Sequence, residues 1–346
     1  VTIAIFPLSF IGFALWSKAG LLADSIELAP AKPRARSSFI LAHSSHTLAF
    51  KQVRVHAPSM NTAMNELRAL VTRAGDSWTA TGIPRVTMVQ AEACANQVYQ
   101  PMLHLVLQGS KTLSIGDQLM VYPSASYFLV PVDIPATGEI QASGPDLPYL
   151  AICLALDPTV IADLMDAGAD TPKSDAICFA SVAAPAEMID AWLRLMRLMD
   201  RPGDVSVLAP MIEREILFRV LQGPLGNVLR DMARPDGRLS QIRRAVNWIR
   251  DHYAEPLRVE PLAAMTDMSV AAFYRHFRSV TAMTPIQYQK RLRLLKARWL
   301  LLFEPRDAAS IAFSVGYESA SQFSREYARM FGMPPARDVA RFRNVA

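Results

Sequence analysis

Two arginines and a glutamine in the last third of the chain have the chemistry to read nucleic-acid bases. Arg275 and Arg325 stand 50 residues apart, and Gln322 lies one helical turn before the second. A guanidinium pairs bidentately with guanine, and a carboxamide does the same with adenine. Each arginine sits between two aromatics, Phe273 and Phe277 in the first case and Phe323 and Tyr327 in the second. Side chains four apart share one helix face while the residue between them points elsewhere, so the aromatics anchor and the arginine is presented.

The pattern belongs to an internal repeat. Ser269, Phe273, Arg275, Phe277, Met283 and Pro285 recur, each 50 residues later, as Ser319, Phe323, Arg325, Tyr327, Met333 and Pro335. Ser269 and Ser319 stand where helices should begin, with hydroxyls able to cap first-turn amides. A shorter helical run precedes each copy, Val259 to Thr266 and Asp307 to Val315, and Gly316 suits the turn that follows the second. Two helices joined by a tight turn, the second capped and polar on its outer face, make a helix-turn-helix.

Facing away from the aromatic stripes are Ala271, Ala272, Tyr274, Arg275 and Arg278 in the first unit, and Ala320, Ser321, Gln322, Arg325 and Arg329 in the second. For each side chain a base contact, a phosphate contact and plain solvation stay open, since half or more of protein–DNA contacts go to the backbone. Pro285 is tolerated in the first turn of a helix that should run to Phe303. That length spans about 28 Å, near the ~34 Å between successive major-groove faces. One chain could therefore place two recognition helices on adjacent turns of a duplex.

Charge supports a polyanion as partner. Residues 238–346 hold 18 Lys/Arg against 9 Asp/Glu, while residues 1–237 carry a net −4. Arg outnumbers Lys sixteen to two in the basic segment, which favours bidentate phosphate and guanine contacts. The whole chain, at 346 residues and 51% apolar, has the length and composition of two packed domains.

From Ile83 to about Leu156 short apolar runs alternate with turn residues, the pattern of a sheet-rich domain built as a barrel or sandwich. Expected strands are Val86 to Ala91, Met102 to Gln108, Lys111 to Ser114, Gln118 to Tyr122, Tyr127 to Pro131, Glu139 to Ala142 and Tyr149 to Leu156, with Gly109 and Gly116 at turns. Helical periodicity follows over Val160 to Ala167, Ala184 to Met199 and Val207 to Leu221. The second of these aligns Met188, Trp192, Leu195, Met196 and Met199, a stripe that suits either an internal core or a dimer seam. Arg234 to Gly237 marks a linker.

Residues 1–17 are apolar and uncharged but lack a basic start, and Pro7 interrupts them, which argues against a signal peptide or a membrane span. Residues 1–63 are expected to be a non-core extension, and a start near Met60 or Met64 is one reading of residues 1–59 that the sequence leaves open.

The stretch Ile311 to Pro335, IAFSVGYESASQFSREYARMFGMPP, resembles the signature of AraC/XylS-type transcription regulators. The likeness continues through Ala271 to Phe277 (AAFYRHF) and Thr284 to Lys290 (TPIQYQK). Thr81 to Arg85, Leu105 to Gly109, Val132 to Pro135, Pro148 to Leu150 and Leu208 to Leu217 are similar to one subgroup's N-terminal domain, a cupin-like barrel with connecting helices. The resemblance covers about Met64 to Arg343. It implies an α+β two-domain protein, with a cupin-like effector and dimerisation domain over 64–234 and an all-α DNA-binding domain over 238–346. Within the latter lie helix-turn-helix units at about 258–280 and 307–331 and a linking helix at 285–303.

By that resemblance Ala271, Tyr274 and Arg275, then Ser321, Gln322 and Arg325, would face DNA, although Ala271 is short where many relatives carry a longer side chain. The implied partners are double-stranded DNA, RNA polymerase, a small-molecule effector and a second copy of the chain, in a cytoplasmic activator. No enzyme activity or cofactor is expected. A cupin-type metal site needs several His and carboxylate ligands, and the barrel region offers only His104. No G-x-S-x-G elbow occurs, and Glu213 and Glu215 suit ion pairs rather than catalysis. Cys94, Cys153 and Cys178 form no C-x-x-C and leave an odd cysteine over, so neither a disulfide framework nor zinc is indicated, and Cys153 suits inert strand packing.

Overall fold

The computed structural model describes residues 59–75, 77–92, 97–166 and 178–343. The apolar run at 1–17, nearly all of the expected extension and Cys94 lie outside the described residues.

Ten strands are present among the described residues: β1 Thr79–Ala80, β2 Val86–Ala91, β3 Gln97–Tyr99, β4 Met102–Gln108, β5 Ser110–Ile115, β6 Gln118–Pro123, β7 Ser126–Val130, β8 Ile134–Gln141, β9 Tyr149–Ala155 and β10 Val182–Ala183. They form two antiparallel sheets, one ordered β1-β2-β9-β4-β7-β10 and one ordered β3-β8-β5-β6. The barrel expected from the sequence thus takes the form of two facing sheets that do not close into one. The seven expected strands are present, but β8 begins at Ile134 rather than Glu139. Its early residues Ile134, Pro135 and Ala136 are buried consecutively and so lack an alternating signature. The very short β1, β3 and β10 have no signature in the sequence, because two or three residues carry no periodicity.

Helices α1 Met60–Val71, α2 Pro158–Asp166, α3 Ala186–Met196, α4 Val205–Gln222 and α5 Gly226–Ala233 belong with the sheets. Helix α1 packs on β2, β4 and β9, which explains why the residues of β9 from Tyr149 to Leu154 are buried on both sides of the sheet. It buries Ala63 as well as Met64, so organised structure begins a few residues ahead of position 64. The Met188, Trp192, Leu195 and Met196 stripe of α3 is core, closed off by α1 and α4, and is not a free seam. Glu213 of α4 lies 2.6 Å from Arg85, whose other arm reaches Asp157 at 2.6 Å, and Glu215 lies 2.7 Å from Arg194. Both glutamates are structural ion-pair partners.

The remaining helices are α6 Arg238–Asp251, α7 Val259–Met265, α8 Val270–Thr281, α9 Pro285–Phe303, α10 Ala308–Ser314, α11 Ala320–Phe331 and α12 Pro335–Arg343. Two cores divide them. Phe273, Phe277, Tyr288 and Leu292 join the large core that runs on into the sheets, whereas Leu294, Leu301, Ile311, Phe323 and Tyr327 belong to a second, smaller one. The boundary falls within α9. Among the described residues no helix is long and apolar enough to cross a membrane.

Candidate nucleic-acid interface

The two units form as capped helix pairs. Ser269 Oγ accepts the Ala272 amide and Ser319 Oγ the Gln322 amide, each at 3.3 Å. These serines therefore spend their hydroxyls on their own helices. Asp307 caps α10 in the same way, accepting from the Ala309 and Ser310 amides at 3.0 and 2.9 Å. Thr284 and Gln287 complete a reciprocal capping box at the start of α9. Both recognition helices end in a left-handed residue, Ala282 and Gly332, again 50 positions apart.

Behind each helix the paired aromatics are sealed. Phe273 and Phe277 lie 5.5 Å apart, as do Phe323 and Tyr327, and all four are buried. On the opposite face Ala271, Arg275, Arg278, Ser321, Gln322, Arg325 and Arg329 are exposed, and Tyr274 is half-buried. The guanidinium groups of Arg275, Arg325 and Arg329 hold no hydrogen bond or ion pair among the described residues, so they are free to meet an outside partner. Gln322 is lightly held, its amide 3.4 Å from Glu326, which also receives Lys290 at 2.6 Å and the Tyr317 hydroxyl at 2.9 Å.

Arg278 departs from this group. Its guanidinium pairs at 3.0 Å with Asp117, on the turn between β5 and β6. Beside it Arg291 donates to the Gly116 carbonyl at 2.9 Å. Gly116 has φ +62, and a Cβ there would collide with the Ala282 carbonyl, so only glycine lets this turn sit against the end of α8. A second contact lies nearby. Arg250 of α6 pairs with Asp133 at 2.7 Å, and the buried Tyr288 hydroxyl donates to the Asp133 carbonyl at 2.6 Å. The first helix-turn-helix unit is therefore docked on the sheets at two places.

One arginine ties the two units to each other. Arg293 of α9 donates to the Tyr253 and Glu255 carbonyls at 2.7 and 2.8 Å and to the Gly316 carbonyl at 2.8 Å. These are main-chain acceptors after α6 and α10, left without intrahelical donors. Gly316, at φ +89, lies so close to the Ala254 carbonyl that a side chain could not be placed there. Sequence reasoning missed Arg293, and it read Gly116 only as a turn residue, without the contact that Gly116 and Asp117 make with the helices. For Arg293 no local signal exists, because its acceptors come from loops 38 and 23 residues away.

Between the sheets His104 is fully buried, with Nε2 2.7 Å from the Tyr149 hydroxyl and Nδ1 2.8 Å from Cys153 Sγ. Burial holds the imidazole well below its usual pKa and pushes the Cys153 thiol up, so both are neutral. This fits the inert packing expected of Cys153. Among the described residues no group of three His, Cys, Asp or Glu side chains could hold a metal ion.

Comparison with known proteins places this geometry. Residues 82–228 match the family described as the AraC-type transcriptional regulator N-terminus, and residues 262–341 match a helix-turn-helix domain family. The HTH-type transcriptional activator RhaS of Salmonella typhimurium is 32% identical over 154 residues, 44% of this chain and 54% of RhaS. The chain thus spans about half the length of the curated relatives it matches. Among solved structures, the DNA-binding domain of AdpA, a global transcriptional factor in complex with a target DNA, is 32% identical. That match covers 30% of this chain and 94% of the other, with a TM-score of 0.29. Fatty acid-bound ToxT from Vibrio cholerae is 10% identical, covering 74% of this chain and 93% of its own, with a TM-score of 0.46.

Proposed function

The chain belongs to the AraC/XylS-type transcription regulators, and on that premise we propose that it binds double-stranded DNA sequence-specifically and controls transcription in response to a small molecule held in its sheet domain. The observation that carries this reading is the duplicated, capped helix with buried aromatics behind and unpaired arginines in front. In the first unit Ala271, Tyr274 and Arg275 are assigned to the DNA face, and in the second Ser321, Gln322 and Arg325, with Arg329 at the rim. Arg325 and Gln322 are the strongest candidates for base edges. Arg278 joins them when its bond to Asp117 opens.

Activation is the favoured direction, because the curated relatives matched over 154 residues are named activators. RNA polymerase would be the partner through which a bound regulator acts, and the cytoplasm the compartment where promoter DNA is met. A second copy of the chain would pack on α4, where Val207, Leu208, Met211 and Phe218 are exposed along one helix.

Selection of bound sequences from a random DNA pool tests the core of this proposal. The wild-type chain should enrich a defined site. Arg325→Ala should then weaken that site by about 1–3 kcal/mol while leaving random DNA unchanged. Equal loss on both would make Arg325 a phosphate contact, and failure to enrich any sequence would end the regulator reading.

A further inference from the structure

The inner face of the smaller sheet carries a lysine. Buried positions alternate along β5, so Lys111 shares its face with Leu113 and Ile115. It is only 2% exposed, and among the described residues no carboxylate or hydrogen-bond acceptor reaches its ammonium. Lysine is seldom buried without a partner. What surrounds it instead is aromatic, with the Tyr99 ring centre at 4.7 Å from Nζ and the Trp78 ring centre at 6.0 Å. Ring faces replace only part of the hydration that a buried ammonium gives up.

The neighbours leave that charge uncompensated. Burial dominates at both His104 and Cys153 on the opposing sheet, and the Lys111 charge lowers the pKa of each, so neither supplies an anion. The Tyr122 hydroxyl, one strand over from Lys111, already donates to the Phe179 carbonyl at 2.8 Å. A phosphate dianion would call for several donors, whereas here one cation sits among rings and aliphatic side chains.

We propose that Lys111 anchors the carboxylate of a small organic acid whose aromatic or aliphatic body lies between the sheets. This rests on reading the sheet domain as the effector module and names the chemical class of that effector. The same strand leads to the first helix-turn-helix unit. Five residues beyond Lys111 comes Gly116, whose carbonyl accepts from Arg291, and then Asp117, which holds Arg278. At about 3.3 Å per residue the anchor and this contact lie roughly 16 Å apart along one extended segment. A ligand that pulls on Lys111 therefore bears on the turn that occupies a DNA-facing arginine.

The test uses the full chain with benzoate, cinnamate, octanoate and decanoate, each beside its primary amide, in thermal-shift and calorimetric titrations near neutral pH. At least one acid should raise the melting temperature and bind at least about tenfold more tightly than its amide, since the amide lacks the charge that Lys111 would pair. Lys111→Met should lose that preference. Its unliganded melting temperature should equal or exceed that of the wild type, because methionine fills the space without a buried charge. No binding by any acid, equal binding of acid and amide by the wild type, or undiminished acid binding by Lys111→Met overturns the proposal. The acid-against-amide comparison needs no variant, so a poorly folding Lys111→Met does not spoil it. Equal acid and amide binding would remove the charge anchor yet leave an effector module, whereas failure of DNA selection would remove the regulator reading alone.

Discussion

The two helix-turn-helix units come from one repeated sequence pattern but are stabilised differently. In the second unit Tyr327 donates its hydroxyl at 2.7 Å to the buried Asp338, which Arg298 grips with both arms. All three residues lie within 41 positions of one another, and the polar cluster closes inside the unit's own small core. In the first unit the matching positions are Phe277 and Tyr288, and the hydroxyl has moved across the pair. It leaves the unit altogether and reaches Asp133 on the sheet domain. One unit keeps its buried polar group to itself, and the other uses it to dock. The Tyr288 hydroxyl is thus one of the bonds that couple the first unit to the sheet domain, and the second unit uses its own inside its core.

The sharpest way to break that contrast is to empty each core. Phe323→Ala should cost about 3–5 kcal/mol and remove hydrogen-exchange protection from α10 and α11 while α8 stays protected. Phe273→Ala should instead lower the main unfolding transition shared with the sheets. If Phe323→Ala unfolds both regions together, the second core is not independent.

A subtler cut removes only the hydroxyls. Tyr327→Phe should cost about 1.5–3 kcal/mol in denaturant unfolding, because its acceptor is a buried carboxylate paired with arginine. Tyr288→Phe, which gives up a bond to a neutral carbonyl, should cost nearer 0.5–1.5 kcal/mol. Part of that loss should appear as easier separation of the sheets from the first unit, read by exchange at the Asp133 loop. Equal costs for the two changes would erase the distinction.

The exposed contact between Asp117 and Arg278 should contribute at most about 1 kcal/mol to stability. Asp117→Ala is therefore expected to leave unfolding almost unchanged and to tighten DNA binding slightly by freeing Arg278. A loss of DNA affinity would show that the turn supports the reading head rather than restraining it.

Acid should pull the two regions in opposite directions, with the smallest effect of the set. Asp307 titrates below its usual value, chiefly through the Ser310 and Ala309 amides it caps. Its contribution is complete above the unfolded value near 3.8 and is lost as pH falls through the lower folded one. Asp133 is shifted the other way, because burial outweighs its bond to Arg250. The folded state therefore regains stability as pH falls through that raised value. Exchange measured from about pH 5 to 3 should show α10 loosening first, and the reverse order would contradict the assignment.

Much of the reading surface was legible because its determinants are local. Helix periodicity, a capping serine and aromatics four apart are all written within about one helix length, so Phe273, Arg275, Phe323 and Arg325 could be placed on opposite faces from spacing alone. Lys111 was also within reach. The expected strand from Lys111 to Ser114 puts it on the same parity as Leu113, and alternation then aims it inward with the apolar residues. The Met188 and Trp192 stripe was not, since an amphipathic helix looks the same whether α1 and α4 cover it or another subunit does.

The sequence by itself determined the duplicated helix pairs, the strand-rich domain before them and the chemistry offered to DNA, because each follows from propensity and periodicity over a few turns of chain. Only the tertiary structure decided that, among the described residues, the first unit shares its core with the sheets while the second has a core of its own. The Asp133 to Tyr288, Asp117 to Arg278 and Arg293 contacts join residues from 23 to 161 positions apart. Their partners are chosen by packing, which no local pattern encodes.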